Sequence, residues 1–185
     1  LSLAAQNGNL EIVRLLVEHG ALIDGKGSDA RTPLMEACDS GHTEVAQYLL
    51  SKGAYVNARR KGLTPLLVAC DSFSVQVGPV GDKKKTVSLL LENGAEVNVQ
   101  DESWLKSGMT PLMFAVEQGD AAMVEAILSK GAKIGTANRN GDTALTLAKK
   151  SNLEYIAQLR ESAEKSPGTP KASPEALVEA IKQGR

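Results

Sequence analysis

Aromatic residues are nearly missing from this 185-residue chain: one Trp, two Phe and three Tyr make up 3% of it. A domain with one central core leans on such side chains, so their scarcity suits thin layers packed on small aliphatic residues instead. Charge of one sign is lacking too. Lys and Arg number 21 against 22 Asp and Glu, a net charge of -1. That balance removes the usual electrostatic reason to expect a nucleic acid or an anionic membrane as partner. No apolar run approaches the roughly 20 residues needed to span a bilayer. The opening stretch, LSLAAQNGNLEIVRLL, has neither the charged flank nor the cleavage site of a signal peptide. The expected location is intracellular, cytoplasmic first and nuclear second.

Reactive side chains are equally sparse, with only His19, His42, Cys38 and Cys70 among the histidines and cysteines. No HExxH, CxxC or GxSxG spacing occurs, and a structural zinc site has too few ligands to form. Catalysis needs acids, bases and nucleophiles that converge, so the expectation is no enzyme activity, no cofactor and no metal. Gly81, Lys83 and Thr86 lack the spacing of a phosphate loop and no strand precedes them.

What the chain does have is a period. TPLMEAC begins at Thr32, TPLLVAC at Thr64, TPLMFAV at Thr110 and the weaker TALTLAK at Thr143. The first three are each followed by a Leu-rich run and a Gly-Ala pair: Gly53-Ala54, Gly94-Ala95 and Gly131-Ala132, with Gly20-Ala21 before the first. The order TPLxxA, GxxEV, LLxxGAxVN resembles the ankyrin repeat and recurs over nearly the whole chain. The resemblance implies an all-α solenoid of stacked helix-turn-helix units with protruding β-hairpin loops.

The pattern also has mechanical sense. Thr32, Thr64, Thr110 and Thr143 can cap the free donors of a first helix, and Pro33, Pro65 and Pro111 fit its first position; Ala144 replaces the fourth. Small Ala37, Ala69, Ala115 and Ala148 let neighbouring helices approach, while Val45, Leu49 and Leu50 form the stripe of a second helix. Gly53, Gly94 and Gly131 end that helix. Cys38 and Cys70 sit at matching places 32 residues apart. Stacked helices would hold them about 8–10 Å apart, beyond the ~7 Å a disulfide tolerates, so both are expected to be reduced and core-facing.

Ala4, Gly8, Ile12 and Gly20 align with Ala37, Gly41, Val45 and Gly53 at an offset of 33, so the first repeat lacks its TPL opening. The expected organisation is five repeats over 1–162, a Ser/Pro-rich linker over 163–174, and a last helix over 175–185. That helix either opens a truncated sixth repeat or packs back on the stack. Both ends look cut from a longer array, although Gln158, Arg160 and Glu161 give the fifth outer helix the polarity of a capping repeat.

Three departures stand out. Nine extra residues fall between the two helices of the third repeat, within SFSVQVGPVGDKKK, which carries Phe73 and the basic run Lys83 to Lys85. They form either a recognition loop or two helices each a turn longer, joined at Gly78-Pro79. The hairpin leading to Thr110 is five residues longer than its predecessor and carries Trp104, either a partner anchor or packed on its own loop. In the linker, Ser166, Thr169 and Ser173 each precede proline, a pattern for proline-directed phosphorylation.

By resemblance, the partner-binding face runs along the hairpin tips and the exposed side of the inner helices. On the tips this implicates Lys26 and Arg31, then Arg59, Arg60, Lys61 and Leu63, then Trp104, Lys106 and Met109, then Arg139. On the inner helices it implicates Glu36, Asp39, Ser40, Asp71 and Glu117, with Phe73 from the insertion. A basic rim over an acidic wall would suit another protein or peptide of mixed charge, bound by a monomer with no nucleic acid and no membrane insertion. The function implied is an adaptor or scaffold; the alternative is the regulatory segment of a larger enzyme, channel or membrane protein.

Overall fold

The computed structural model describes residues 1–25, 31–71, 81–103 and 108–150. Within them the chain alternates short inner helices with longer outer ones. The inner set is α1 (Ser2–Gln6), α3 (Pro33–Asp39), α5 (Pro65–Cys70), α7 (Pro111–Glu117) and α9 (Ala144–Lys150). The outer set is α2 (Leu10–Glu18), α4 (Thr43–Ser51), α6 (Lys83–Glu92) and α8 (Ala121–Ser129). Each inner helix packs on the next inner helix and each outer helix on the next outer one, which makes the solenoid expected from the repeats.

The threonines start the inner helices as the pattern predicts. Thr32, Thr64 and Thr110 accept from the amides of Met35, Leu67 and Met113 at 3.3, 3.3 and 3.2 Å, and proline fills the first turn behind each. Thr143 accepts from Thr146 N at 3.2 Å and needs no proline. Outer helices begin on Asn9, Asp82 and Asp120, whose side chains accept from Ile12 N, Lys85 N and Met123 N. His42 is the exception: it makes no side-chain cap, and its Nε2 instead reaches the Gln6 carbonyl of the previous repeat at 3.0 Å. Gly53 closes α4 at φ 88°, a left-handed conformation that a Cβ would strain.

Ala37, Ala69, Ala115 and Ala148 are buried between the inner helices, and Val45 and Leu49 behind them. Leu50, expected in the same stripe, is only half-buried. Cys38 and Cys70 are buried and free. Burial raises both thiols, with Asp39 adding to the rise at Cys38; Cys70 is pushed up to about 12 although Lys83 pulls the other way.

A ladder of side chains ties the repeats together at the Gly-Ala turns. Asn57 donates to the Gly94 carbonyl at 3.1 Å and accepts from Glu96 N at 2.9 Å. Asn98 repeats both bonds one unit on, to the Gly131 carbonyl at 3.1 Å and from Lys133 N at 2.8 Å. Asp24 holds the first rung as an acceptor alone, from Tyr55 N at 3.3 and 3.2 Å.

The hairpins are leaner than expected. Among the described residues their antiparallel pairing is reduced to single bridges, Arg60 with Leu63 and Ala137 with Thr143. The insertion also differs from one of its two readings. At six residues α5 is shorter than α3 or α7, which have seven, and α6 at ten exceeds α4 and α8 by one, so the helices have not each gained a turn. Lys83, Lys84 and Lys85 form the first turn of α6 rather than a loop. Residues 72–80 lie outside the described residues, as do the linker 163–174, the segment 175–185, Gln158, Arg160, Glu161, Ser166, Thr169 and Ser173.

Candidate functional site

Inner helices run away from the hairpins and outer helices return to them, so hairpin ends line one edge of the stack. The second hairpin turns through Lys61 and Gly62, both in the left-handed region at φ 49° and 78°. Such a pair matches the twist of a two-residue hairpin. Gly62 is also a close-approach point: its carbonyl accepts from Glu102 N at 3.1 Å, and a Cβ there would lie 2.7 Å from the Glu102 carbonyl carbon. The third hairpin therefore leans directly on the second.

The third and fourth hairpins are joined as closely. Gln100 Nε2 donates to the Gly108 carbonyl at 3.0 Å across its own hairpin and to the Ala137 carbonyl at 2.9 Å on the next. Arg139 donates back to the carbonyls of Glu102 and Ser103 at 3.3 and 3.4 Å. Arg59 reaches forward to Glu96 and Glu102, each at 3.5 Å. These last pairs are exposed on both sides and contribute little alone.

The structure therefore sorts the expected site residues. Arg59, Lys61 and Arg139 are exposed on the hairpin edge, and Glu117 is exposed at the end of α7 with Gln118, as are Lys149 and Lys150 on α9. Arg60 is half-buried and donates to its neighbour, the Arg59 carbonyl, at 2.9 Å. Leu63 is half-buried and packs on the core. Lys26, Phe73, Trp104 and Lys106 lie outside the described residues.

Several expected contacts are corrected. Met109 is buried in the core and receives Asn138 Nδ2 on its sulfur at 3.5 Å, so it is packing and not a tip contact. Glu36, Asp39 and Ser40 were expected on an exposed wall but are buried. For Asp39 the reason is two cations from elsewhere: Arg31 at 2.6 Å and Lys83 at 3.6 Å. Arg31 is correspondingly half-buried and committed inward. Asp71 is half-buried, and its carbonyl accepts from Lys83 Nζ.

These residues together pin both feet of the insertion. Gly81 N donates to the Ser40 carbonyl at 2.8 Å, Lys83 spans Asp39 and the Asp71 carbonyl, and Gln118 Nε2 donates to the Cys70 carbonyl at the end of α5. Sequence reading missed Lys83 and Gln118 in this role. It also missed the Asn57 and Asn98 ladder, although its signal, an Asn or Asp four residues after the Gly of the first three Gly-Ala pairs, is present in the sequence at Asp24, Asn57 and Asn98.

At the amino ends of α6 and α8, Lys84 pairs with Asp120 at 2.8 Å. Burial acts to raise the Asp120 carboxyl, but the Lys84 side chain and the Met123 amide outweigh it and hold the group below its usual range. His19 Nδ1 lies 2.8 Å from the Leu15 carbonyl and His42 on that of Gln6, so each ring is engaged with main chain. Among the described residues no group of three or more His, Cys, Asp or Glu is placed to hold a metal, and no helix is long and apolar enough to cross a membrane.

Comparison with known proteins agrees with this architecture. The profile for ankyrin repeats in three copies matches residues 1–101 and, overlapping them, 77–168. The chain is 30% identical over 168 residues, 90% of its length, to the Caenorhabditis elegans ankyrin repeat and KH domain-containing protein mask-1. It is 36% identical over 111 residues, 60% of its length, to the human ankyrin repeat and KH domain-containing protein 1. To the human transient receptor potential cation channel subfamily A member 1 it is 29% identical over 140 residues, 72% of its length. The chain spans 6%, 4% and 12% of the lengths of these three relatives.

Proposed function

Because the chain belongs to the ankyrin-repeat family, we propose that it is a non-catalytic scaffold that holds a partner protein or peptide along its hairpin edge and the open ends of its inner helices. The observation that carries this reading is the side-to-side fastening of the hairpins through Gly62, Gln100 and Arg139. A row held at fixed spacing loses little freedom when a partner settles on it, and preorganisation of that kind favours binding. Exposed Lys61, Arg139 and Lys149 offer cations and exposed Glu117 an anion, which suits a segment of mixed charge; Lys150 is paired with Asp142 at 2.6 Å. With Asp39 enclosed by Arg31 and Lys83, the open part of the wall lies on α7 and α9.

A second reading, the regulatory segment of a larger protein, draws on the small share of its relatives' length that the chain spans. The two readings are compatible. Two reduced, buried cysteines suit an intracellular compartment.

The test is a pull-down from extract of the native cells with wild-type chain beside a Lys61→Glu, Lys149→Glu variant, once circular dichroism shows equal helicity. Loss of a salt-sensitive partner band from the variant alone is the expected result. Equal recovery of that band at every salt concentration would remove this edge from consideration.

A further inference from the structure

The chain holds three Asn-Gly pairs: Asn7-Gly8, Asn93-Gly94 and Asn140-Gly141. In such a pair the glycine nitrogen can close on the asparagine Cγ, because no Cβ on the following residue obstructs its approach. How firmly the fold holds the two groups apart then sets the rate. Asn7 ends α1, where Gly8 N donates to the Ala5 carbonyl at 3.2 Å, and a Cβ on Gly8 would lie 2.6 Å from the His42 ring of the next repeat. Asn93 ends α6. Its Nδ2 donates to the Leu89 carbonyl at 2.8 Å, and the Gly94 carbonyl accepts from Asn57 at 3.1 Å. Both pairs must leave a helix end and a contact with another repeat before the ring can close.

Asn140 and Gly141 instead form the exposed tip of the fourth hairpin. Asn138 Oδ1 accepts from the amides of Asn140 and Asp142, each at 2.9 Å, and the Asn138 carbonyl accepts from Gly141 N at 3.0 Å. These bonds all fall within residues 138–142, so the tip can open without disturbing the stack. Among the described residues no hydrogen bond holds the Asn140 carboxamide. Gly62 and Gly108 occupy the place of Gly141 in the second and third hairpins. A Cβ on Gly62 would strike Glu102 at 2.7 Å and one on Gly108 would meet Arg139 at 3.4 Å, whereas one on Gly141 would meet nothing within 4 Å. Of Lys61, Ser107 and Asn140, which precede these glycines, only Asn140 carries a carboxamide.

We infer that Asn140 is a modification site, deamidated by its own main chain without an enzyme. Hydroxide takes the proton of Gly141 N, and the nitrogen attacks Asn140 Cγ. The new N–Cγ bond forms as the Cγ–Nδ2 bond breaks, and Nδ2 leaves as ammonia with a proton from water. A second water opens the cyclic imide, at Cγ to give aspartate or at the main-chain carbonyl to give isoaspartate. The sum consumes one water, releases one ammonia and moves no electrons between partners. Either product sets a carboxylate beside Arg139 and Asp142. Isoaspartate also adds a methylene to the main chain between the two amides that Asn138 Oδ1 holds, so the tip loses its closure. The hairpin edge thereby gains a negative charge with age. The chemistry is independent of the binding role of that edge; only its consequence for a partner rests on it.

The test keeps the whole chain folded at pH 8 for several weeks and follows each Asn-Gly pair by peptide mass spectrometry, as a gain of one mass unit with aspartate and isoaspartate separated by chromatography. Asn140 should convert at least fivefold faster than Asn93 or Asn7, and more slowly at pH 6, where hydroxide is scarcer. In urea the three rates should converge, since unfolding removes what distinguishes the pairs. Asn140→Gln should silence the site and leave the thermal midpoint in place. Equal rates at the three pairs in the folded chain would overturn the inference. So would a lead by Asn93 or Asn7, or an Asn140 that stays intact while the unfolded chain converts.

Discussion

Asn57 serves two main-chain groups of the next repeat with one amide, and Asp24 can serve only one. Asn57→Ala should therefore lower stability by about 1 kcal/mol, since both bonds are near the surface and water can replace them in part. Asp24→Asn should raise it by about 0.5–1 kcal/mol by supplying the missing donor for the Gly53 carbonyl. Urea midpoints of the two variants should move in opposite directions. The cysteines give a prediction in pH. The unfolded thiol ionises near 9.0 while Cys70 in the fold is pushed up to about 12, so the native state holds its proton longer. Stability from this source is complete below pH 9 and falls as pH rises from there towards 12. Cys70→Ser should flatten that fall in an alkaline denaturation series, and at pH 8 both native thiols should resist a maleimide that labels the unfolded chain. Residues of this kind were partly legible: the matched spacing of Cys38 and Cys70 placed both in the core, but the double use of Asn57 needs the position of the following repeat.

Helix starts were readable because a threonine cap and a following proline act within four residues of chain. Thr110→Ala should cost about 1–2 kcal/mol, read as a lower thermal midpoint, with Thr110→Ser, which keeps the capping hydroxyl, recovering most of the loss. The ends of the inner helices were not readable on the same terms. Asp39 and Ser40 occupy positions that the family pattern leaves to solvent, and only the approach of Lys83 and Arg31 encloses Asp39. Lys83 itself reads as part of a basic loop until α6 is seen to begin on Asp82. Three lysines in a first turn oppose the helix dipole, and each is answered by an acid: Lys83 by Asp39, Lys84 by Asp120 and Lys85 by Asp82. Lys83→Met should thus cost about 1–3 kcal/mol through the uncovered Asp39 and Asp71 carbonyl. Lys85→Met, on an exposed pair, should leave the midpoint where it is. Equal losses from the two would show that the insertion's feet are not held by Lys83.

Across the whole molecule, periodicity made the solenoid legible from Thr32, Thr64, Thr110 and Thr143 and from the Gly-Ala pairs, because each repeat touches only its neighbours and local sequence suffices. The candidate surface was less so. Its exposed members Arg59, Lys61, Glu117 and Arg139 were identified from the pattern, whereas Met109 and Asp39 were misplaced because their surroundings include Asn138 and Lys83 from another repeat. The ladder through Asp24, Asn57 and Asn98 reaches Gly135, which has no side chain to continue it, so among the described residues the fastening is strongest over the first four repeats. Those repeats also carry the hairpins that Gly62, Gln100 and Arg139 lock side by side, and this row is the proposed binding edge. Site-specific photo-crosslinking tests that proposal most directly, with a benzophenone amino acid placed in turn at Lys61 on a hairpin, at Lys149 on α9 and at Gln47 on the opposite, outer-helix side. The account predicts that Lys61 and Lys149 capture the same partner in native cells and that Gln47 captures none. Capture of that partner from Gln47 alone would contradict it.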